Sequence, residues 1–457
     1  MKTVLSPIQN VAAAFCTILA IFLWITPVWA APYVFHFNLD GLRYDTLKKN
    51  IEAGRLPNIE KYFVQQGAWY HQAVTVFPSV SPSAYASFYT GLTPDQSGIP
   101  FLEWFDRKTG HLTEYLTLGG KKKMERDLKA PSLFETLAPT STAAIGDPFS
   151  LPIFWETGIF HDGFALDRLA LKKLQKILQQ PTEKWPHFIS TALLSSDFLG
   201  HHQGPDSKAV DDNLQRFDVF MGMLMQQIAQ RNLADQTYLV LTSDHGMHAT
   251  QKHFDLRKRL RKAGFFSKDF YLSNRGVSTN FLYLLHGDPN HWIPTLLAQP
   301  EVEWIAVRDG ASTQILSANG EGTVETLQKG GKRLYRYHYN REREDPLHTP
   351  HFDEAFHDAD FWGPQTVETD FPDGIVQLGN LFRDDRSGDI LIQARPPWLF
   401  RTDKAGTHGS LSKEDMRIIL MTRGPTVKPG PRGFARSTEV YVMIRSWFAN
   451  AGCQTTP

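Results

Sequence analysis

Residues 237–246 read Thr-Tyr-Leu-Val-Leu-Thr-Ser-Asp-His-Gly, a largely apolar run that ends in an acid and a histidine. A short apolar run bounded by polar residues is typical of a buried strand. Open parallel sheets bind their ligands outside the carboxyl ends of the strands. The stretch therefore predicts a central strand that places Asp244 and His245 at a functional edge of a sheet.

The same arrangement occurs twice more along the chain. Residues 33–39 form an apolar run that Asp40 follows, and residues 187–194 form another that ends near Asp197. Residues 418–421 give a fourth run. Amphipathic stretches separate the runs, and the clearest has apolar residues at helical spacing, at Leu214, Phe217, Met221, Leu224 and Ile228. The pattern predicts an α/β fold whose mainly parallel central sheet is flanked by helices.

One part of the chain departs from this alternation. Tyr335, Tyr337 and Tyr339 alternate with polar residues, and Gly, Asp and Pro are frequent between residues 300 and 400. An alternation of this kind is typical of half-buried strands. We therefore predict an inserted β-rich or irregular subdomain, at about 266–390, within one domain that spans residues 31–457.

The composition excludes several classes of protein. The 457 residues include 48 basic and 48 acidic side chains, and 42% are hydrophobic. Such values are ordinary for globular proteins and exclude a disordered chain, a collagen-like chain and a disulfide scaffold. The balanced charge argues against a nucleic-acid binder that works by counterion release. The mean hydropathy of -0.32 excludes a protein with several membrane spans.

The N-terminus carries the one long apolar segment, residues 11–30. It ends in Val28-Trp29-Ala30, and small residues at these two spaced positions are typical of signal cleavage. An uncleaved anchor is the alternative, because a segment of this length just spans a bilayer. We predict that residues 1–30 are a signal peptide and that the protein is exported, to the periplasm or outside the cell. Cleavage would leave Cys453 as the one cysteine, so stability would come from core packing.

Acids and histidines gather in four short segments of the sequence. They are Asp40, Asp197 with His201, Asp244 with His245, and His408. Each segment is a weak signal alone, since an acid at a strand end is more often a turn or cap residue. Together, three carboxylates and three imidazoles match the ligands of two zinc-like ions with three protein ligands each. The sequence predicts two divalent metal ions, with zinc as the expected metal.

In kind and order these residues resemble the type I phosphodiesterase/nucleotide pyrophosphatase family of the alkaline phosphatase superfamily. The resemblance covers about residues 33–110, 185–250 and 400–425, and it implies an alkaline-phosphatase-like catalytic domain. It implies one metal held by Asp197, His201 and His408. It implies a second held by Asp40, Asp244 and His245. The family's nucleophile loop matches Phe77-Pro78-Ser79-Val80-Ser81, which makes Ser81 the implied nucleophile and a further metal ligand.

Elementary chemistry agrees with this role for Ser81. A serine hydroxyl is a poor nucleophile at neutral pH, but a nearby divalent cation lowers the pKa of an oxygen acid by several units. Ser81 could then attack phosphorus without a histidine base. The expected mechanism is a covalent phospho-Ser81 intermediate that water then hydrolyses.

The loop after the nucleophile departs from the family pattern. Many members carry a phosphoryl-binding Asn a few residues after a His-Gly-Ile stretch, whereas here Ser97 replaces that His and Leu102 stands at the Asn position. We therefore predict Leu102 as a substrate-binding residue that favours apolar esters over nucleotides. Phe101, Trp104 and Phe105 either line an apolar pocket there or pack in the core.

The sequence thus predicts an exported two-metal phosphoesterase that hydrolyses phosphodiester or pyrophosphate bonds through Ser81. The alternatives are a phosphomonoesterase or phosphonate hydrolase of the same superfamily, and a non-catalytic relic that binds phosphate. The expected partner is a small-molecule phosphoester substrate. We expect no binding of nucleic-acid duplexes, and membrane association only if residues 1–30 stay attached.

Overall fold

A computed structural model describes residues 31–117, 119–137, 140–146, 163–273, 278–350, 352–400 and 404–453. The predicted signal peptide lies outside these residues. Within them, no helix is both long enough and apolar enough to cross a bilayer.

Fifteen strands of the described residues form two large sheets. In chain order they are β1 (Tyr33–Leu39), β2 (Ala68–Val74), β3 (Thr142–Ile145), β4 (Phe188–Leu193), β5 (Thr237–Thr242), β6 (Phe270–Leu272), β7 (Thr279–Leu284), β8 (Val302–Asp309), β9 (Ser312–Ser317), β10 (Glu321–Lys329), β11 (Lys332–Tyr339), β12 (His357–Asp358), β13 (Ile390–Ala394), β14 (Leu420–Arg423) and β15 (Gly430–Arg436). Three two-stranded ribbons pair Glu103–Phe105 with Leu112–Glu114, His248–Ala249 with Gly406–Thr407, and Lys252–His253 with Trp398–Leu399.

The helices of the described residues are named in the same way. The longer ones and those used below are α1 (Tyr44–Glu52), α2 (Ser81–Thr90), α3 (Gly120–Asp127), α4 (Ala165–Leu178), α5 (Ser195–Gln203), α6 (Lys208–Gln230), α7 (Leu256–Lys262), α8 (Ala359–Thr366), α9 (Gly374–Asn380), α10 (Lys413–Met416) and α11 (Glu439–Asn450). Short helical turns cover Pro57–Ile59, Glu60–Gln65, Pro94–Ser97, Leu133–Thr136, Thr182–Lys184, Ala234–Gln236, Pro289–His291 and Ile293–Leu297.

The central sheet has seven strands in the order β15-β2-β14-β5-β1-β4-β3. Its neighbours are parallel except at β14, which runs antiparallel to both β2 and β5. Every residue of β1 is buried, because helices cover both faces of the sheet. On one face Phe35 and Phe37 pack with residues of α1, α4 and α6, and on the other Val34 packs with α2 and α11.

The second sheet has eight strands, all antiparallel, in the order β6-β7-β13-β8-β9-β10-β11-β12. Its strands lie between Phe270 and Ala394 in the chain. Tyr335 and Tyr337 of β11 are buried, as their alternation predicts. The fold-class prediction is confirmed: a mainly parallel sheet flanked by helices, with a separate β-rich part.

The sequence predicts the bounds of individual elements correctly where a strand is buried on both faces or a helix has one buried face. The strands predicted at 33–39 and 237–242 occur with those bounds, and the apolar stripe from Leu214 to Ile228 lies buried along α6. The run at 418–421 differs, because its strand begins at Leu420 and is antiparallel to its neighbours. Hydrophobic content does not encode strand direction, so the sequence could not show this.

Candidate metal centre

Adjacent strands of the central sheet bring the predicted acids together. Strand β1 pairs with β4 on one side and with β5 on the other. Asp40 directly follows β1, and Asp244 follows β5 by two residues. Asp197 lies in the first turn of α5, which starts two residues after β4. Since parallel strands end at one edge, their carboxylates meet there.

Asp197, His201 and His408 form one cluster of buried side chains. One potential ligand atom from each lies within 4.8 Å of the others. Asp197 and His201 are four residues apart on α5, and this spacing places both on one helix face. His201 Nε2 is 3.4 Å from Asp197 Oδ2, and His408 Nε2 is 3.5 Å from Asp197 Oδ1.

Asp40, Asp244 and His245 form the second cluster, within the same 4.8 Å limit. His245 Nε2 is 3.4 Å from Asp244 Oδ2 and 3.8 Å from Asp40 Oδ1. The outer oxygens of the two acids are hydrogen-bonded. Tyr85 donates to Asp40 Oδ2 over 3.3 Å, and the Gly41 N–H donates to Asp244 Oδ1 over 3.1 Å.

Backbone carbonyls orient all three imidazoles. The Nδ1 atom of His201 lies 2.7 Å from the Gly406 carbonyl oxygen, that of His245 lies 2.8 Å from Gly246, and that of His408 lies 3.1 Å from Ser79. Because a carbonyl only accepts, each Nδ1 carries the proton and donates it. The Nε2 lone pairs are then free to face the clusters, which is the usual arrangement for histidines that bind a metal.

The unpaired oxygens of the three acids test whether a cation fits. Asp40 Oδ1, Asp197 Oδ1 and Asp244 Oδ2 are buried and accept no hydrogen bond. Each of these oxygens faces a histidine Nε2 of its own cluster. A buried carboxylate oxygen without a donor is costly, and a divalent cation would remove that cost. The donor set of each cluster, carboxylates with imidazole, suits zinc.

The electrostatics of the described residues agree with this fit. Burial, Asp244 and Asp197 raise the pKa of Asp40 well above its usual value. Burial lowers the pKa of His201 to about 4, and burial with neighbouring His245 and His201 lowers the pKa of His408 well below its usual value. Three acids crowded together repel one another, and His201 and His408 stay neutral with lone pairs available. Both effects indicate a site built for positive charge.

Ser81 lies beside the second cluster as the first residue of α2, where Pro82 favours the helix start. Its Oγ is 3.3 Å from His245 Nε2. The preceding Val80 is fully buried in an apolar cluster that also contains residues of the second sheet. The structure therefore places Ser81 against one predicted ligand, with its hydroxyl at the edge of the Asp/His clusters.

Leu102 is not among these polar groups. It is 6% exposed and packs in the apolar cluster that also contains Val80 and Phe101. Phe101 meets Phe281 edge to face, and Phe105 stacks on Tyr271 with ring centroids 4.8 Å apart. Phe101 and Phe105 thus pack against the second sheet. A substrate contact of Leu102 stays a prediction.

The sequence-based prediction missed residues that support the ligands. Tyr85 donates to Asp40 and itself accepts a hydrogen bond from Asn38 over 2.8 Å. Its place four residues after Ser81 on α2 was a usable signal, because that spacing puts both on one helix face. Ser79 carries no such signal, since its contact is made by its backbone carbonyl.

Fold and site together define the class of the protein: an alkaline-phosphatase-like α/β fold with two buried Asp/His clusters, each able to hold a metal ion, at the carboxyl ends of the central strands. The chain belongs to the type I phosphodiesterase/nucleotide pyrophosphatase family, whose model matches residues 34–417.

Relatives with curated descriptions are named as pyrophosphatases or phosphodiesterases. Human ectonucleotide pyrophosphatase/phosphodiesterase family member 1 is 30% identical over 238 residues, which are 49% of this chain and 24% of that protein. An uncharacterized pyrophosphatase/phosphodiesterase of Schizosaccharomyces pombe is 25% identical over 47% of this chain and 44% of its own length. Venom phosphodiesterase of Naja atra is 28% identical over 47% and 26%. The matched part thus spans less than half of each relative.

Proposed function

We propose that the protein is an exported phosphoesterase that cleaves phosphodiester or pyrophosphate bonds, with Ser81 as its nucleophile and two divalent metal ions, zinc foremost, as cofactors. The observation that carries the proposal is the position of Ser81 Oγ, 3.3 Å from His245 Nε2 and beside buried carboxylates with unpaired oxygens. The activities that the relatives are named for, pyrophosphatase and phosphodiesterase, support diester or pyrophosphate substrates over monoesters.

The roles of the side chains follow from the two clusters. Asp197, His201 and His408 would hold one ion, and Asp40, Asp244 and His245 the other. When bound, such ions supply positive charge that lowers the pKa of an adjacent hydroxyl and stabilises the oxygens of a phosphoryl group. The start of helix α2 places Ser81 beside the second cluster, and the backbone carbonyls that bind the three histidines keep Nε2 turned inward.

The proposed reaction has two steps. In the first, Ser81 Oγ gives up its proton and bonds to phosphorus, the ester bond to the leaving group breaks, and the departing oxygen takes up a proton. In the second, water bonds to phosphorus, the bond to Ser81 Oγ breaks, and the serine regains its proton. A diester yields an alcohol and a phosphomonoester in this way.

The test compares Ser81→Ala with Ser83→Ala in zinc-loaded protein. Ser83 is a matched control, because it lies on the same helix and its buried hydroxyl donates to the Ile99 carbonyl, 3.0 Å away. We expect Ser81→Ala to lose more than about a hundredfold of kcat on bis(p-nitrophenyl) phosphate while its zinc content stays near wild type. Ser83→Ala should keep its activity.

The substrate panel decides among the alternatives. Wild type should hydrolyse bis(p-nitrophenyl) phosphate faster than p-nitrophenyl phosphate or a phosphonate ester. A faster monoester reaction would replace the proposal with a phosphomonoesterase. Activity of Ser81→Ala near the wild-type level would remove Ser81 as the nucleophile. Zinc-loaded wild type with no hydrolysis of any of them would support a phosphate-binding relic.

Export is the part of the proposal that rests on the sequence alone. The apolar residues 11–30 and their ending at Val28-Trp29-Ala30 support cleavage before Ala31. N-terminal sequencing of the protein from its native host tests this. A cytoplasmic chain that keeps Met1 would contradict export.

A further inference from the structure

Behind the two clusters, a set of buried polar side chains joins the loops that carry the candidate ligands. We call it the Asp415 network and define it by His248, Ser278, Ser410 and Asp415, each at most 5% exposed. None of the four belongs to either Asp/His cluster. We propose that Asp415 and His248 are positioning residues that hold the loops of His245 and His408 in the arrangement that the hydrolytic site needs. The inference rests on the proposed function and deepens it.

Asp415 contacts both ligand loops at once. Its Oδ2 accepts from the Ser410 backbone N–H over 2.9 Å and from the Ser410 hydroxyl over 2.6 Å. Its backbone carbonyl accepts from the Gly246 N–H over 2.8 Å. Gly246 directly follows His245, and Ser410 comes two residues after His408. One buried residue of α10 thus fixes the distance between two segments that carry a ligand each.

His248 closes a second connection between the same loops. Its Nδ1 donates to Asp415 Oδ1 over 2.8 Å, and its Nε2 is hydrogen-bonded to Ser278 Oγ over 3.2 Å. The Ser278 N–H in turn donates to the His408 carbonyl over 3.2 Å. The chain of bonds from Asp415 therefore returns to the His408 loop through a residue just before β7 of the second sheet.

The network also reaches the nucleophile loop. The Ser410 carbonyl, held in place through Asp415, accepts a hydrogen bond from Ser79 Oγ over 2.7 Å. The Ser79 carbonyl orients His408 Nδ1, and Ser79 precedes Ser81 by two residues. A shift of Ser410 would consequently move both a candidate ligand and the candidate nucleophile.

The way Asp415 is bonded distinguishes it from a ligand. Asp40, Asp197 and Asp244 each keep one buried oxygen without a donor. Both carboxylate oxygens of Asp415 are instead occupied by donors of the protein. A carboxylate satisfied in this way has its geometry set by the fold and passes that geometry on to its donors.

The order Ser278–His248–Asp415 also resembles the bonding of a Ser-His-Asp triad. Ser278 and Asp415 have no exposed surface, and His248 is 5% exposed. A nucleophile must reach its substrate, so Ser278 does not serve as one. Positioning is the role that these contacts support.

The first variant to test is Asp415→Asn in the full-length protein. An amide keeps the shape and one acceptor, but its NH₂ group then faces a donor of either His248 or Ser410. We expect zinc affinity, measured by competition with a chelator, or kcat on bis(p-nitrophenyl) phosphate to fall by about 10- to 100-fold. KM should stay within about twofold, because no substrate contact is removed.

Two variants of His248 separate its two hydrogen bonds. The amide nitrogen of an asparagine replaces Nδ1, and that of a glutamine replaces Nε2. His248→Asn therefore keeps the bond to Asp415 and loses that to Ser278, whereas His248→Gln does the reverse. If the Asp415 bond sets the loop arrangement, His248→Asn should keep most of its zinc affinity and kcat, and His248→Gln should lose roughly tenfold or more.

Asp218→Asn is the matched control. Asp218 is a buried carboxylate that accepts from the Ile59 N–H over 2.7 Å and from Asn58, on α6 and apart from both clusters. The Asp218→Asn variant should have a lower melting temperature than wild type, with unchanged zinc affinity and kcat. The proposal is overturned if Asp415→Asn and His248→Gln behave like this control, or if His248→Asn and His248→Gln are impaired equally.

The zinc measurement keeps this inference separate from the proposed function. Wild type that binds zinc but hydrolyses no phosphoester would refute the proposed function. The positioning role would then still be decided by the zinc affinities of the variants. Suppose instead that wild type hydrolyses phosphodiesters, and that Asp415→Asn and His248→Gln have wild-type zinc affinity and kcat. This result would refute the positioning role alone.

Discussion

The rings of His245 and His408 stack on each other, with centroids 3.7 Å apart and planes inclined by 14°. The two histidines belong to different clusters and lie on segments that are far apart in sequence. Their contact joins the two clusters into one site, in which the two rings are in direct contact. A change in either ring should therefore affect the neighbouring cluster as well as its own.

We predict that His408→Ala lowers the zinc content of the purified protein by about one of two equivalents. The variant removes one of three ligands from the cluster of Asp197 and His201, and loss of a ligand weakens binding strongly. Metal analysis after dialysis measures it. Asp197→Ala should give the same loss, and the exposed His286→Ala should give none. Wild-type zinc content in both ligand variants would contradict the ligand assignment.

We predict that Asp40→Asn changes stability in opposite directions with and without zinc. In metal-free protein the variant removes one of three crowded buried charges. The pKa of this carboxyl group, Asp40, is raised by burial and by neighbouring Asp244 and Asp197. Its melting temperature should therefore exceed that of metal-free wild type. With zinc in excess, wild type should gain more stability than the variant, because ligand binding stabilises the folded state in proportion to its affinity.

Differential scanning calorimetry of both proteins, with chelator and with zinc, tests this crossing. Asp358→Asn serves as a control, since Asp358 is a partly exposed acid whose salt bridge to Lys332 lies at the surface. It should respond to zinc as wild type does. A variant that is less stable than wild type in both conditions would show that Asp40 does not lie in a cation site.

The acids of the site could be predicted because each follows an apolar run. Asp40, Asp197 and Asp244 all come within a few residues of strands buried on both faces, and the parallel pairing of β1 with β4 and β5 then brings them together. Burial on both faces determines where such strands lie in the sequence. It is visible in sequence because most positions of these strands are apolar or small, with His36 and Asn38 of β1 as exceptions.

Other parts of the fold depend on pairings that sequence does not display. Strand β2 is only partly buried at Tyr70, His71 and Gln72, so it shows no apolar run. Asp415 lies in a short polar helix and looks like a surface residue in the sequence, yet it has no exposed surface. Its carboxylate accepts from the nearby Ser410 and from His248, which is 167 residues away in the sequence, and only the tertiary structure shows the second contact.

A pH prediction concerns His36, which lies inside the central sheet away from the clusters. Its ring is hydrogen-bonded to Ser190 Oγ over 3.0 Å and to Thr242 Oγ1 over 2.8 Å. Burial lowers the pKa of His36 to about 3, from 6.5 in an exposed histidine. Between these two values the unfolded chain binds a proton at this position that the folded protein does not bind.

Folding stability from His36 is therefore present above pH 6.5 and declines as the pH falls towards 3. One such proton changes the free energy of unfolding by about 1.4 kcal/mol per pH unit. We predict that His36→Asn makes this decline shallower by up to that slope in urea unfolding between about pH 6 and pH 4. His286→Asn, at an exposed position, is the control. An unchanged slope in His36→Asn would contradict the prediction.

The last prediction concerns Leu102 and the choice of substrate. Leu102 packs in the apolar cluster that contains Val80, the residue before Ser81. The resemblance in this loop predicts that Leu102 stands where many family members carry a phosphoryl-binding Asn. One hydrogen-bond donor to a developing oxyanion is typically worth about 3–4 kcal/mol. A chain without it should favour substrates that gain affinity from apolar contact, which is worth about 1.5–3 kcal/mol for a fully buried side chain. We predict a higher kcat/KM on an aryl phosphodiester than on a dinucleotide or nucleoside triphosphate.

Leu102→Asn should shift the ratio of these kcat/KM values towards the nucleotide, because it restores a donor and removes apolar surface. Leu347→Asn is the matched control, since Leu347 is a buried leucine of the same apolar cluster. Both variants bury an amide and should lose about 1–3 kcal/mol of stability, so a loss of folded protein lowers both activities equally and leaves the ratio unchanged. A ratio that moves in Leu102→Asn alone would place Leu102 at the substrate. A wild type that prefers nucleotides, together with an unmoved ratio in Leu102→Asn, would leave Leu102 as a core residue only.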